Sequence, residues 1–393
     1  MQIFGILTLT LAVTASTAVA AAPDPGIQFT AIDPARIQVG GEIGRRIDLT
    51  VRKNLLALEV DNQFLAPFRQ RHSAQFGYIG LGKLIDAAVS FAYYTREPQV
   101  IAWKDHLIQA LIATQLDDGY LGIFPAEGRI RDVFDEHEIA YNIHALVNDY
   151  RRFHNQRSLD AARRLADYLV QHSAAKRHPT LLCTIDVDRS LLALSEVAGD
   201  GRYRDYVIAR EGLGRWHAPI DEVNDGQYST GDGHAYTFMN RCLAQLDLYR
   251  VQPDESLLSQ SRRVIDYLTK RDALLITGTC SLVERFRNQQ ETRGEVGESC
   301  ATAYLIRLAH HLLQLEGDTL YGDLMERAIY NALFAAQSPD GRSLRYYTAI
   351  DGPRKYYDRD TYCCPNNWRR IVAELPEMVF LRRGSAARGA MVN

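Results

Sequence analysis

From about Leu81 onward, apolar residues recur at helical spacing in paired segments separated by short turns, and this repetition restricts the chain more than any other feature. The pairs include YIGLGKLIDAAVSFAYYT with VIAWKDHLIQALIATQ, IAYNIHALVNDYRRFH with SLDAARRLADYLVQH, and AYTFMNRCLAQLDLYR with ESLLSQSRRVIDYLTKR, closing on ATAYLIRLAHHLLQLEG and YGDLMERAIYNALFAAQ. With the stretches around Arg52, Leu191, Tyr206 and Val372, the periodicity predicts about a dozen helices in an all-α fold. Antiparallel hairpins repeated this often bury their apolar stripes by stacking into a solenoid or closing into a toroid, and the period is the same for both. Asp118-Gly119, Gly317-Asp318 and Asp340-Gly341 mark hairpin ends, whereas His217 to His234 and Thr279 to Glu298 are long polar loops of the kind that carry function.

The ends depart from the rhythm. The first residues, MQIFGILTLTLAVTASTAVAAAPDP, are apolar and give way to small residues at Ala18-Val19-Ala20, which predicts a secretory signal over residues 1–22 and a secreted or periplasmic protein. No basic residue precedes the apolar run, and a buried N-terminal helix is the competing reading. Residues 23–38 read as a linker, 39–380 as the helical domain and 381–393, small and basic, as an unpacked tail. No later window approaches the roughly twenty apolar residues that span a bilayer. The formal net charge of −3 comes without any basic run, so neither nucleic acid nor an anionic membrane surface is an expected partner.

Six cysteines in an exported chain would ordinarily suggest disulfides. Cys183, Cys242 and Cys280 are instead scattered singly and read as buried small hydrophobes. Cys300, Cys363 and Cys364 lie in turn-rich surroundings, the last two in YCCPNNW. Glu298 and Cys300 open a helix and can face one point only from the non-helical approach to its first turn, while the turn forced by Pro365 lets Cys363 and Cys364 converge. Three thiolates and a carboxylate would suit tetrahedral zinc and would not select calcium or magnesium; unpaired or disulfide-bonded cysteines are the alternative.

Three histidines and several acids compete for other roles. His137 and His144, in HEIAYNIH, are seven apart on one helix face, directed into a cleft or into the core; Tyr141 stands where a zincin would need its second histidine. His234, in STGDGHAYTF, starts a helix and could be capped by Asp232. Glu284, in LVERF, sits between apolar neighbours that would raise its pKa towards general-acid duty, with Glu291 and Glu295 as competitors.

Taken in order, VGGEIGRRIDLTVRKNLL, QLDDGYLGIF, HEIAYNIHAL, GDGHAYTF, LVERF, GESCATAY, GDTLYGDLMERAIYNALFAAQSPDG and CCPNNW resemble the catalytic domain of the β-L-arabinofuranosidases of glycoside hydrolase family 127, from about Val39 to Val379. The resemblance implies an (α/α)6 barrel followed by β-sandwich domains. It implies zinc held by Glu298, Cys300, Cys363 and Cys364, with Cys363 as nucleophile and Glu284 as acid/base. His137 and His234 would face the sugar, with His144 a further candidate, and Asn367 would cap the helix after the cysteine pair. The expected activity is zinc-dependent retaining hydrolysis of a β-L-arabinofuranoside in an arabinose-containing glycan. A non-catalytic sugar-binding toroid, and a polysaccharide lyase or unsaturated uronyl hydrolase on the same barrel, are the competing functions. The sequence departs from the family where Asn366 replaces the second proline of C-C-P-P-N and where G-E-A-F has become V-E-R-F. It stops just after the last helix, so the expectation is a barrel without the β-sandwich region and with one apolar face left bare.

Overall fold

Thirteen α-helices run through the computed structural model of the chain, which describes residues 26–71, 78–130, 133–173, 186–220, 234–287, 290–383 and 390–392. In chain order they are α1 (Gly41–Leu49), α2 (Ala66–Gln70), α3 (Leu81–Thr95), α4 (Pro98–Ile112), α5 (Val133–Phe153), α6 (Gln156–Ser173), α7 (Val187–Ala198), α8 (Gly201–Ala209), α9 (Ala235–Val251), α10 (Ser256–Lys270), α11 (Ser299–Glu316), α12 (Thr319–Ala328) and α13 (Cys363–Val379). The expected signal segment, Asp232 and Cys183 lie outside the described residues.

The choice between solenoid and toroid is decided by contacts. Helix α3 packs on α5, α5 on α7, α7 on α9, α9 on α11 and α11 on α13, and α13 returns to α3, so these six form a closed inner ring. Helices α4, α6, α8, α10 and α12 each lie outside the inner helix that precedes them, and α1 touches α13. This is the (α/α)6 barrel. Burial follows the layer: α10 buries one stripe, Leu257, Leu258, Ser261, Val264, Ile265 and Leu268, while α11 is buried at nearly every position because it has neighbours on all sides. Inner helices also approach closely. A Cβ on Gly82 of α3 would meet the Tyr141 carbonyl carbon of α5 at 2.3 Å, so a glycine is required there.

Buried charge closes the ring. Arg369 and Arg370 of α13 are almost inaccessible; Arg369 Nε donates to Asn54 Oδ1 at 2.6 Å and Arg370 Nε to Asp86 Oδ2 of α3 at 2.6 Å. In place of an unpacked tail, β2 (Phe380–Arg383) pairs antiparallel with β1 (Phe29–Ala31) and with β3 (Ala390–Val392). Strands of three or four residues are too short to leave a period in a sequence, and Leu381, fully buried, anchors β2. No helix among the described residues is long and apolar enough to cross a membrane.

Candidate metal and catalytic centre

The N-terminal ends of α11 and α13, neighbours in the inner ring, deliver the sulfur cluster. Glu298 is the N-cap of α11 in an extended conformation (φ −57°, ψ 134°), so its side chain and that of Cys300 reach the same point from either side of the helix start. Helix α13 begins at Cys363, with Pro365 in its first turn, where a missing N–H costs nothing. Tyr362 (φ +87°) makes the turn that precedes it. Cys363 and Cys364 are therefore the first two residues of a helix, and Asn367 lies inside that helix and not at its cap. Its Nδ2 instead donates to Cys300 Sγ at 3.1 Å.

One ligand atom from each of Glu298, Cys300, Cys363 and Cys364 lies within 4.8 Å of the others. The Cys300 and Cys364 sulfurs are 3.1 Å apart, too far for a disulfide, and Cys364 Sγ lies 3.3 Å from Glu298 Oε1. All four residues are buried, and Glu298 Oε2 has no partner. Burial and mutual repulsion push Glu298, Cys300 and Cys364 up, because four anions cannot share this volume without a cation among them. At Cys363 burial acts in the same sense, but the Cys300 and Cys364 thiols and the Lys83 ammonium outweigh it and hold this thiol well below its ordinary range. A buried carboxylate with a free oxygen beside three sulfurs is a donor set that fits a metal ion.

Glu284 stands beside the cluster on a strained turn, with Ser281, Val283 and Glu284 itself all at positive φ. Its Oε1 accepts from Tyr346 OH at 2.7 Å and from Tyr347 OH at 3.0 Å, and its Oε2 is 3.3 Å from His234 Nε2. Tyr346 OH is also 3.5 Å from Cys363 Sγ, so one phenol lies between the acid and the thiol. The expected rise in Glu284's pKa is reversed: burial pushes it up, but the hydrogen bonds and charge of His234 and the two phenols more than offset this and hold it at about 2. The apolar neighbours in LVERF carry no information about three polar groups arriving from the N-cap of α9 and from residues 346–347. Glu291 is exposed and bonds its own turn, and Glu295 is exposed. A second convergence, His234, Glu284 and Glu298 within 4.8 Å, shares Glu298 with the sulfur set.

The histidines separate. His137 is buried and stacked on Tyr78 at 4.1 Å, with neither ring nitrogen partnered; His234 Nδ1 is unpartnered as well. His144, two turns along α5, meets Asp186 Oδ2 at 2.8 Å and lines a cavity with Arg151 and Arg189, apart from the Cys363 side. Glu138, next to His137, is structural: its carboxylate accepts from the Ile79, Gly80 and Leu81 amides at 2.8, 2.9 and 2.9 Å and caps α3. Two residues escaped the sequence reading. Tyr346, in RYYTAI, has no local signal. Lys83 does, as a lone cation in GLGKLIDAAV. It is fully buried, its Nζ has no hydrogen-bond partner, and it sits over the rings of Tyr141, Tyr78 and Tyr236 at 4.3, 5.1 and 5.2 Å. Lys83 Nζ, both ring nitrogens of His137 and His234 Nδ1 are thus buried polar atoms without a partner, an unmet demand for hydrogen bonds.

Comparison with known proteins gives the family and the fold. Residues 57–377 match the family model for the catalytic domain of GH127 β-L-arabinofuranosidases. A non-reducing end β-L-arabinofuranosidase of Bifidobacterium longum subsp. longum is 23% identical over 366 residues, covering 76% of this chain and 54% of that protein. The solved structure of a GH127 β-arabinofuranosidase superposes with a TM-score of 0.73 at 18% identity, over 91% of this chain and 63% of the other. The GH127 β-L-arabinofuranosidase of Geobacillus stearothermophilus T6 gives 0.69 at 21% identity, over 90% of this chain and 66% of the other. The chain thus spans about half the length of the curated relative it matches.

Proposed function

This chain belongs to the GH127 β-L-arabinofuranosidase catalytic-domain family, and from that membership we propose that it is an exported, zinc-dependent retaining glycoside hydrolase releasing β-L-arabinofuranose from non-reducing ends. The observation that carries the reading is the meeting of Cys363 and Glu284 on one phenol, at the edge of a buried Cys3Glu cluster. Glu298, Cys300, Cys363 and Cys364 would hold the zinc, which when bound keeps the thiols deprotonated near neutral pH and shields them from oxidation.

Cys363 Sγ attacks the anomeric carbon and the glycosidic oxygen leaves, giving a thioglycoside on Cys363. Water then cleaves that C–S bond and returns the sulfur, so two inversions retain configuration. The leaving oxygen needs a proton in the first step and the attacking water must lose one in the second. Glu284 Oε2 makes both transfers, since it has a single contact, at 3.3 Å to His234 Nε2, whereas Oε1 accepts from two phenols. Against burial, the hydrogen bond and charge of His234 and the hydrogen bonds of the two phenols hold Glu284 low when no sugar shields it. Sugar bound against Glu284 excludes water and weakens the solvation of its carboxylate, which raises its affinity for the proton it must donate. His137, His234 Nδ1 and Lys83 bind the sugar hydroxyls.

The test is hydrolysis of an aryl β-L-arabinofuranoside. The chain should release the phenol, and Cys363→Ser and Glu284→Gln should each reduce kcat/KM by about 10²-fold or more. Unchanged rates in either variant reject the role assigned to that residue, and binding without turnover by the unmodified chain rejects hydrolysis in favour of a sugar-binding barrel.

A further inference from the structure

A cavity of about 540 Å3 opens behind the acid, walled by Tyr346, Tyr347, Tyr356 and Tyr357 with Glu295 and Lys355 at its rim. That size lies within the usual range for small-ligand sites. Its inner wall is continuous with the catalytic centre, because Tyr346 and Tyr347 are the two residues that hold Glu284 Oε1. In a double displacement the acid stands on the side of the departing group and the nucleophile on the opposite side of the sugar. Whatever leaves must therefore pass on the Glu284 and Tyr347 side, away from Cys363.

We propose that this tyrosine-walled groove is the subsite for the departing half of the substrate, and that it takes a second neutral sugar ring laid with its C–H face on Tyr356. The inference rests on the glycosidase reading above. Tyr356 is 41% exposed, unusual for so large a ring. It is nevertheless held in place: the Arg345 guanidinium lies 4.3 Å from its centroid on one face and Arg345 Nη2 donates to its hydroxyl at 2.9 Å. A fixed ring with an open face binds without first losing side-chain freedom. Tyr346 packs against both Tyr347 and Tyr357, at 4.8 and 5.2 Å between centroids, so the aromatic wall is continuous from the acid outward. The rim carries one anion and one cation, Glu295 and Lys355, which suits hydroxyl groups and gives no net preference for a charged leaving group.

Calorimetric titration of the zinc-loaded Glu284→Gln chain, which keeps every sulfur ligand, tests the assignment. The two probes are methyl β-L-arabinofuranoside and a β-L-arabinofuranosyl disaccharide. The disaccharide should bind about 10-fold more tightly; Tyr356→Ala should remove that advantage and Tyr356→Phe should retain it. As a second measurement, the ratio of kcat/KM for the disaccharide to that for the methyl glycoside should fall by about the same factor in the otherwise unmodified Tyr356→Ala chain. Equal affinities for the two probes, or an advantage that survives Tyr356→Ala, overturns the subsite while leaving the glycosidase reading intact. Failure of both probes to bind overturns the glycosidase reading and the subsite with it.

Discussion

At Glu284 burial and hydrogen bonding oppose each other, and the outcome has a measurable sign. Its folded pKa, about 2, lies below the ordinary carboxylate value of 4.5, so the ionised form is favoured by folding. The stability this contributes is fully present above about pH 4.5 and is lost as pH falls through the folded value. Thermal melts of the unmodified chain and of Glu284→Gln should therefore converge on acidification from pH 5 towards pH 2, and parallel curves would contradict the arrangement. In His234→Ala the histidine's hydrogen bond and charge are gone while the two phenols remain, so Glu284 should titrate higher than in the unmodified chain and its stabilising contribution should be lost at a higher pH. Cys363 and Glu284 were both legible in the sequence, as a vicinal cysteine pair and a carboxylate in a long loop. Tyr346 and the direction of Glu284's shift were not, because they depend on groups about fifty or more residues away arriving at one atom.

Helix starts, more than helix bodies, decide what this barrel can do. Helices α11 and α13 present their N-termini at the candidate site, and α3 is capped by a side chain borrowed from a neighbour: Glu138 of α5 holds three amides at its start. Removing it leaves three buried donors without partners, so Glu138→Ala should destabilise the fold by about 3 kcal/mol, read from denaturant midpoints; a change under about 0.5 kcal/mol would show the cap to be dispensable. The helix bodies were readable from period alone, as α10 and α11 illustrate. The caps were not, since Asn367 looks like an N-cap by composition yet serves as a hydrogen-bond donor to Cys300. The β1–β2–β3 edge was invisible for a different reason, being too short for any period to register.

Across the whole molecule the sulfur cluster is a clasp between adjacent members of a closed ring, joining α11 to α13 beside the point where α13 meets α3. Sequence periodicity predicted the hairpins but could not close them, since closure is made by Arg370 reaching Asp86 across 284 residues. A metal bound there holds the native state and not the unfolded chain, so chelation should lower the melting temperature and added zinc should restore it. A melting temperature indifferent to chelator would mean that the ring closes without the ion. The most direct measurement is the metal content of the purified chain by mass spectrometry. About one zinc per chain is expected, falling below about a tenth in Cys300→Ala; a metal-free native protein, or zinc retained in full by Cys300→Ala, would contradict the four-ligand centre on which the proposed chemistry depends.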